Sequence, residues 1–241
     1  MSQRPIPIFM YHSIASMPKG TIMRSLHVPK RLFSLQMRVL KLLGYRGLSM
    51  DELQPYLEGK KVGKVVGITF DDGFRNNLTN ALPILKKFGF SATCYIISKK
   101  IGGVNDWDLE KGIPLNPLMN KAEIHTWIEQ GMSIGSHTQH HVHLAECNKV
   151  TAQLEITQSK VDLEKEFNVP VNHFCYPYGS MNNQVKILVK EAGYQSATTV
   201  NRGRAHANED LLSLPRVPIT HRTFLHFLLI KVLSRYEDKH A

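Results

Sequence analysis

Cysteine is scarce in this 241-residue chain. The three present, Cys94, Cys147 and Cys175, form no CxxC pair and leave an odd number. That argues against a disulfide framework and suits a reducing compartment. Acid is also in deficit, since 20 Asp and Glu stand against 30 Lys and Arg, a formal +10. Such a field favours anionic partners, but the basic residues are dispersed, so no nucleic-acid surface is expected. No stretch approaches the roughly 18 apolar residues of a membrane span. Met1 is followed by Ser-Gln-Arg-Pro and a few apolar residues broken by Pro5 and Pro7, with no signal-peptide core. The chain as given is therefore expected in the cytoplasm. It has no internal repeat and no low-complexity segment.

What is present begins with Val65 to Phe70, an apolar run that reads as a short buried strand and ends in Asp71-Asp72-Gly73. Adjacent residues at a strand end project in different directions, so one carboxylate can bind a metal while its neighbour faces a reacting water. Read alone, Asp-Asp-Gly is more simply a turn with a helix cap. A second stretch changes the balance. Four of the twelve histidines lie between His137 and His143, and clustered imidazoles point to metal more than to a polar surface loop. His137 and His141, four apart, can converge on one ion. With Asp72 they make a two-His, one-carboxylate set with positions left open for water, the pattern of a catalytic site.

The rest of the chain alternates strand and helix. Strands are expected at Pro7–Tyr11, Val65–Phe70, Ala92–Ile97, Met132–Gly135, Val171–Tyr176, Ser196–Val200 and shortly before Pro218. Between them lie helical patterns at 29–43, 49–57, 77–88, 122–130, 150–167 and 184–192, several closed by glycine. The chemistry-bearing residues fall at strand C-termini. This predicts an α/β fold, a single distorted (β/α) barrel of about seven parallel strands with its active site at that rim. His12, after the first strand, either lines the same mouth or is merely solvated. The irregular segment Lys99 to Pro117 carries Trp107, which either stacks on a sugar or packs as a lid. A final helix, about 223–236, has an apolar band (Phe224, Leu225, Phe227, Leu228, Ile230, Leu233) with Lys231 and Arg235 opposite. Packing of that band on the barrel is the preferred reading and contact with a membrane surface the alternative. The tail from Glu237 is expected to fray.

Three segments carry a resemblance. TFDDG (69–73), HTQHH (137–141) and FCYPYG (174–179) resemble the first three motifs of the polysaccharide deacetylase family, the nodulation-type deacetylase domain also called carbohydrate esterase family four. MYHSI (10–14) and LPRVP (214–218) are similar to flanking features of its bacterial members, so the resemblance spans about 5–220, one catalytic domain with the last helix appended.

The resemblance implies a hydrolase that removes an N-acyl group, acetyl first, from an amino sugar, glycan or glycolipid. It implies one divalent ion, zinc expected, on Asp72, His137 and His141. Asp71 becomes the general base, and the Tyr178 backbone N–H a donor to the oxyanion. A histidine late in the chain protonates the leaving amine, which points to His221 rather than His226. The chain departs from the family at Cys175, where members carry an arginine that pairs with the catalytic aspartate. Arg216 is the expected replacement. Combined with a cytoplasmic location, the substrate would be a nucleotide-linked, lipid-linked or free sugar. Two rivals stand beside this reading: hydrolysis of another amide or ester, and a catalytically silent glycan-binding barrel. Retention of both aspartates and both histidines argues against the second.

Overall fold

Every residue of Val65–Phe70 is buried, and the architecture is best followed outward from this strand, β3. The computed structural model describes residues 4–206 and 209–239. On one edge β3 pairs in parallel with β1 (Ile8–Tyr11). The other edge is shared. Residues 65–67 of β3 pair with the short β2 (Arg46–Leu48), while Thr69 and Phe70 pair with β4 (Thr93–Ile96). Pairing continues through β5 (Ser133–Ser136), β6 (His173–Cys175), β7 (Ser196–Arg202) and β8 (Leu214–Pro218), and β8 returns to β1. Seven parallel strands thus close a barrel with β2 inserted at its start, as read from the sequence except for β2. Arg-Gly-Leu is too short to show a strand pattern. Its insertion depends on Gly47, where a Cβ would lie 2.6 Å from Ile68 and 2.7 Å from Phe90.

Helices α1 (Lys30–Leu42), α2 (Met50–Leu57), α3 (Leu82–Phe88), α4 (Lys121–Glu129), α5 (Lys149–Phe167), α6 (Asn183–Glu191) and α7 (Leu225–Leu233) link the strands or follow the last of them. Local chemistry sets their starts. Ser49, Asn120, Asn148 and Asn182 each accept a backbone N–H from the first turn, satisfying donors that a helix otherwise leaves orphaned. The helix expected from Asn77 opens as a π-turn over Asn77–Ala81 before α3. Leu53 and Tyr56 of α2 belong to a second buried cluster with Ile8, Leu48, Tyr95, Cys175 and Leu214.

The C-terminal region departs from expectation in two ways. Leu228 and Val232 pack inward, but so does Lys231, while Phe224, at 54% exposure, Phe227, Ile230 and Leu233 face outward. The apolar band is therefore split between inside and outside. The reason lies in the tail expected to fray: Glu237 is fully buried. It accepts from Lys231 and takes Arg202 through two bonds of 2.9 and 3.2 Å. Burying Lys231 is tolerable only because its charge is paired and hydrogen-bonded.

Candidate active site

The C-terminal ends of β1, β3, β5, β6 and β8 bring the predicted residues together. Asp71 continues the β1–β3 ladder by donating its N–H to Tyr11 (2.9 Å). Asp72 and Gly73 then take left-handed backbone, φ 74° and 76°, a conformation that costs a non-glycine residue about 1–2 kcal/mol. That turn separates the two carboxylates.

Asp72 faces the histidines. Its Oδ1 lies 3.5 Å from His137 Nε2 and 3.4 Å from His141 Nε2. His137 Nδ1 is 2.8 Å from the Cys175 carbonyl oxygen, which can only accept, so Nδ1 carries the hydrogen and Nε2 presents its lone pair to Asp72. Burial pushes the His141 pKa down, keeping the ring in its neutral, ligating form. Burial works against ionisation of Asp72, but the two imidazoles facing its Oδ1 hold it far below the usual carboxylate range. One atom from each residue lies within 4.8 Å of the other two. Donor separations near 3.4 Å are those of bonds of about 2.1 Å meeting at tetrahedral angles. This set fits a divalent ion. A second triple, Asp71, His137 and Cys175, is as tightly clustered, but a guanidinium already faces its aspartate and thiol and would repel a cation.

That guanidinium is Arg216. It is fully buried and grips Asp71 through two bonds of 2.7 Å, Nη1 to Oδ1 and Nη2 to Oδ2. Its remaining donors reach the Thr199 carbonyl (2.8 Å), Thr69 Oγ1 (3.1 Å) and Cys175 Sγ (3.3 Å). A buried charge pair is tolerated when so fully satisfied. The cation comes from β8 and lies against the sulfur of Cys175, the position at which the family's arginine is missing. Burial works against the Asp71 carboxylate, and Arg216 more than offsets it, holding the pKa below the ordinary value. The sign of a test follows. In Arg216→Ala the pKa of Asp71 rises, so the acid limb of the pH–rate profile should move to higher pH, by about a unit or more, with bound metal unchanged. An acid limb that stays in place would remove Arg216 from the account.

Two histidines change weight. His12 Nε2 lies 3.9 Å from Asp71 Oδ2, with the side chain 16% exposed at the rim. His221, after β8, has Arg24 and Arg222 as its charged neighbours rather than Asp71 or Asp72; burial and those cations lower its pKa. His12, and not the expected His221, is thus the histidine that stands beside Asp71. The register Tyr11↔Phe70 puts His12 opposite Asp71, and no local sequence signal reports that pairing.

Tyr178 sits at φ 57° inside the Pro177–Gly179 turn. The turn is closed by Gly179 N–H to the Tyr176 carbonyl and Ser180 N–H to that of Pro177, both 2.9 Å. Its ring stacks on His143 at 3.9 Å and meets His141 edge-on at 4.5 Å. Trp107 also lies against His141, centroids 4.7 Å apart. The irregular segment after β4 thus reaches the site as a wall. A groove of about 870 Å³ lies elsewhere, among Arg4, Tyr45, Lys64, Arg204 and Arg235. The metal-ligating clusters among the described residues do not include it.

Comparison with known proteins agrees with this geometry. The family model described as polysaccharide deacetylase matches residues 58–197. A Bacillus subtilis (strain 168) protein described as a polysaccharide deacetylase, YxkH, is 32% identical over 217 residues, covering 89% of this chain and 71% of the relative. The poly-beta-1,6-N-acetyl-D-glucosamine N-deacetylase of Staphylococcus aureus (strain MSSA476) is 27% identical over 88% of this chain and 73% of its own. Among solved structures, the Streptococcus pyogenes deacetylase PplD in complex with acetate superposes with a TM-score of 0.83 at 31% identity, covering 96% of this chain and 99% of that one.

Proposed function

The chain belongs to the polysaccharide deacetylase family, and on that premise we propose that it is a metal-dependent hydrolase that removes the N-acetyl group from an amino sugar of a glycan or glycolipid. The observation that carries this is the pairing of two carboxylates in different roles. Asp72 faces two imidazoles, and Asp71, its chain neighbour, is held ionised by Arg216.

Asp72, His137 and His141 would hold the ion, with zinc best suited to two imidazoles and one carboxylate. Bound there, it would supply Lewis acidity toward the acyl oxygen and lower the pKa of a water. Asp71 takes the proton of the attacking water as the water's oxygen bonds to the acyl carbon. Arg216 keeps the base charged and fixes both its oxygens. The Tyr178 N–H donates to the oxygen on which charge develops, a preorganised donor of the oxyanion-hole kind. His12, beside Asp71, gives a proton to the amine as the C–N bond breaks. Acetate and a free amino sugar result.

The two named sources of substrate differ. A cytoplasmic location would supply a nucleotide-linked or lipid-linked sugar. The Staphylococcus aureus relative is named for a β-1,6-linked polymer, so an oligomer of that linkage belongs in the first panel. The proton donor is tested separately. His12→Ala should slow amide hydrolysis by about 100-fold or more while sparing activated esters, whose leaving group needs little protonation. His221→Ala should leave both near the parent rate. The opposite pattern would return the role to His221.

A further inference from the structure

Of the four histidines between His137 and His143, two face Asp72 and one, His143, stacks on Tyr178. His140 does neither. Its side chain is half exposed and turns away from the site toward α5, where Nδ1 donates to Glu155 Oε1 at 2.7 Å. Glu155 is itself buried, at 6% exposure. Its other oxygen, Oε2, accepts the backbone N–H groups of Gln139 and His140, both at 2.9 Å. The carboxylate thus binds two of the three peptide units between Thr138 and His141, Thr138–Gln139 and Gln139–His140.

Those two units need holding. Thr138 and His141 both have left-handed backbone, φ 66° and 63°, and a non-glycine residue adopts it at a cost of about 1–2 kcal/mol. The loop's carbonyls are fixed from the opposite side, Thr138 accepting from Ser98 N–H (3.1 Å) and Gln139 from that of Lys99 (3.0 Å). His141 N–H donates to Thr138 Oγ1 (2.9 Å). Glu155 supplies the acceptors for the N–H groups that this arrangement points toward α5. No Lys or Arg forms an ion pair with it among the described residues; its one such partner is His140. A buried carboxylate costs several kcal/mol in desolvation unless its oxygens are bonded, and the bonds here run to the metal loop.

We propose that Glu155 is a positioning residue of the metal centre: it clamps the Gln139–His140 peptide so that His141 presents Nε2 beside His137 and Asp72. His140 is the clamp's third contact rather than a ligand. The inference rests on the metal reading above and adds to it a residue 14 positions downstream of His141, on another element. Outer-shell partners of metal ligands typically contribute 10–100-fold in affinity, and Glu155 should lie in that range although it touches no ligand side chain.

The test is cobalt or zinc affinity by chelator competition on the purified chain, read together with the melting temperature of the metal-free protein. Glu155→Ala should weaken affinity by about 10–100-fold. Glu155→Gln, which keeps an oxygen for the peptide N–H groups, should recover most of it. Asp162→Ala is the control. Asp162 also lies on α5 and bonds the Gln139 side chain at 3.1 Å but not the loop backbone, so affinity should stay within about threefold of the parent by that argument. If the alanine variant does not fold, Glu155→Asp carries the test, since it keeps the charge and draws the carboxylate back by one methylene. It should bind metal more weakly than Glu155→Gln. Parent-like affinity in Glu155→Ala or Glu155→Asp, or an equal loss in Asp162→Ala, overturns the proposal. Parent protein that takes up no metal refutes the metal reading, and this inference with it.

Discussion

Asp71→Asn should retain its metal and lose about 100-fold or more in turnover. Asparagine keeps the shape of the side chain but cannot take a proton from water, so only the base function goes. The three atoms proposed to hold the ion belong to Asp72, His137 and His141 and are untouched. A second effect separates this variant from a surface change. Arg216 is fully buried with Asp71 as its counter-charge, and breaking one side of a buried pair costs about 3–5 kcal/mol. The melting temperature should fall along with the rate, without loss of metal. Measured metal content decides the assignment. If Asp71→Asn emptied the site, Asp71 would be a ligand, and the Asp71, His137 and Cys175 triple would become the candidate centre.

His137→Ala and His141→Ala should fail in the opposite order, losing metal first and activity as a consequence. With one of three protein ligands gone, zinc affinity should drop by more than the roughly 100-fold that outer-shell changes reach. His137→Ala should also be the less stable of the two. Its Nδ1–H bonds the Cys175 carbonyl at 2.8 Å, and its removal leaves that buried acceptor without this donor. His141 has no such anchor, its Nδ1 being buried without a partner among the described residues. Zinc content after dialysis and apo-protein melting temperatures separate the two. Stoichiometric zinc in either variant would contradict the ligand set.

How much of this was legible in the sequence depends on how local each determinant is. The run Val65–Phe70 ending in Asp71 and Asp72 shows itself because a fully buried strand is continuously apolar and two charges at its end break the pattern. His137 and His141 show themselves by spacing. Arg216 was legible only because Cys175 departs from its motif and leaves a charge to be supplied from elsewhere, here from β8, two strands from β6. His12 was not distinguishable from a solvated histidine, since its nearness to Asp71 comes from the β1–β3 register. The inward turn of Lys231 was hidden for a related reason. Its partner Glu237 lies in a tail whose short sequence has no periodicity to read, and Arg202, from β7, completes that cluster. Glu155 falls within the helical pattern 150–167, and only the tertiary contact shows which of its acids faces the metal loop.

The most direct test of the central claim is to count acetate and primary amine released by the zinc-loaded protein from a β-1,6-linked N-acetylglucosamine oligomer, with nucleotide-linked and lipid-linked N-acetylated sugars in parallel. The account predicts acetate and amine in a one-to-one ratio from at least one of them, abolished by chelation, restored by zinc, and reduced about 100-fold or more in Asp71→Asn. A protein that binds one zinc per chain and still releases no acetate from any of these substrates would contradict it.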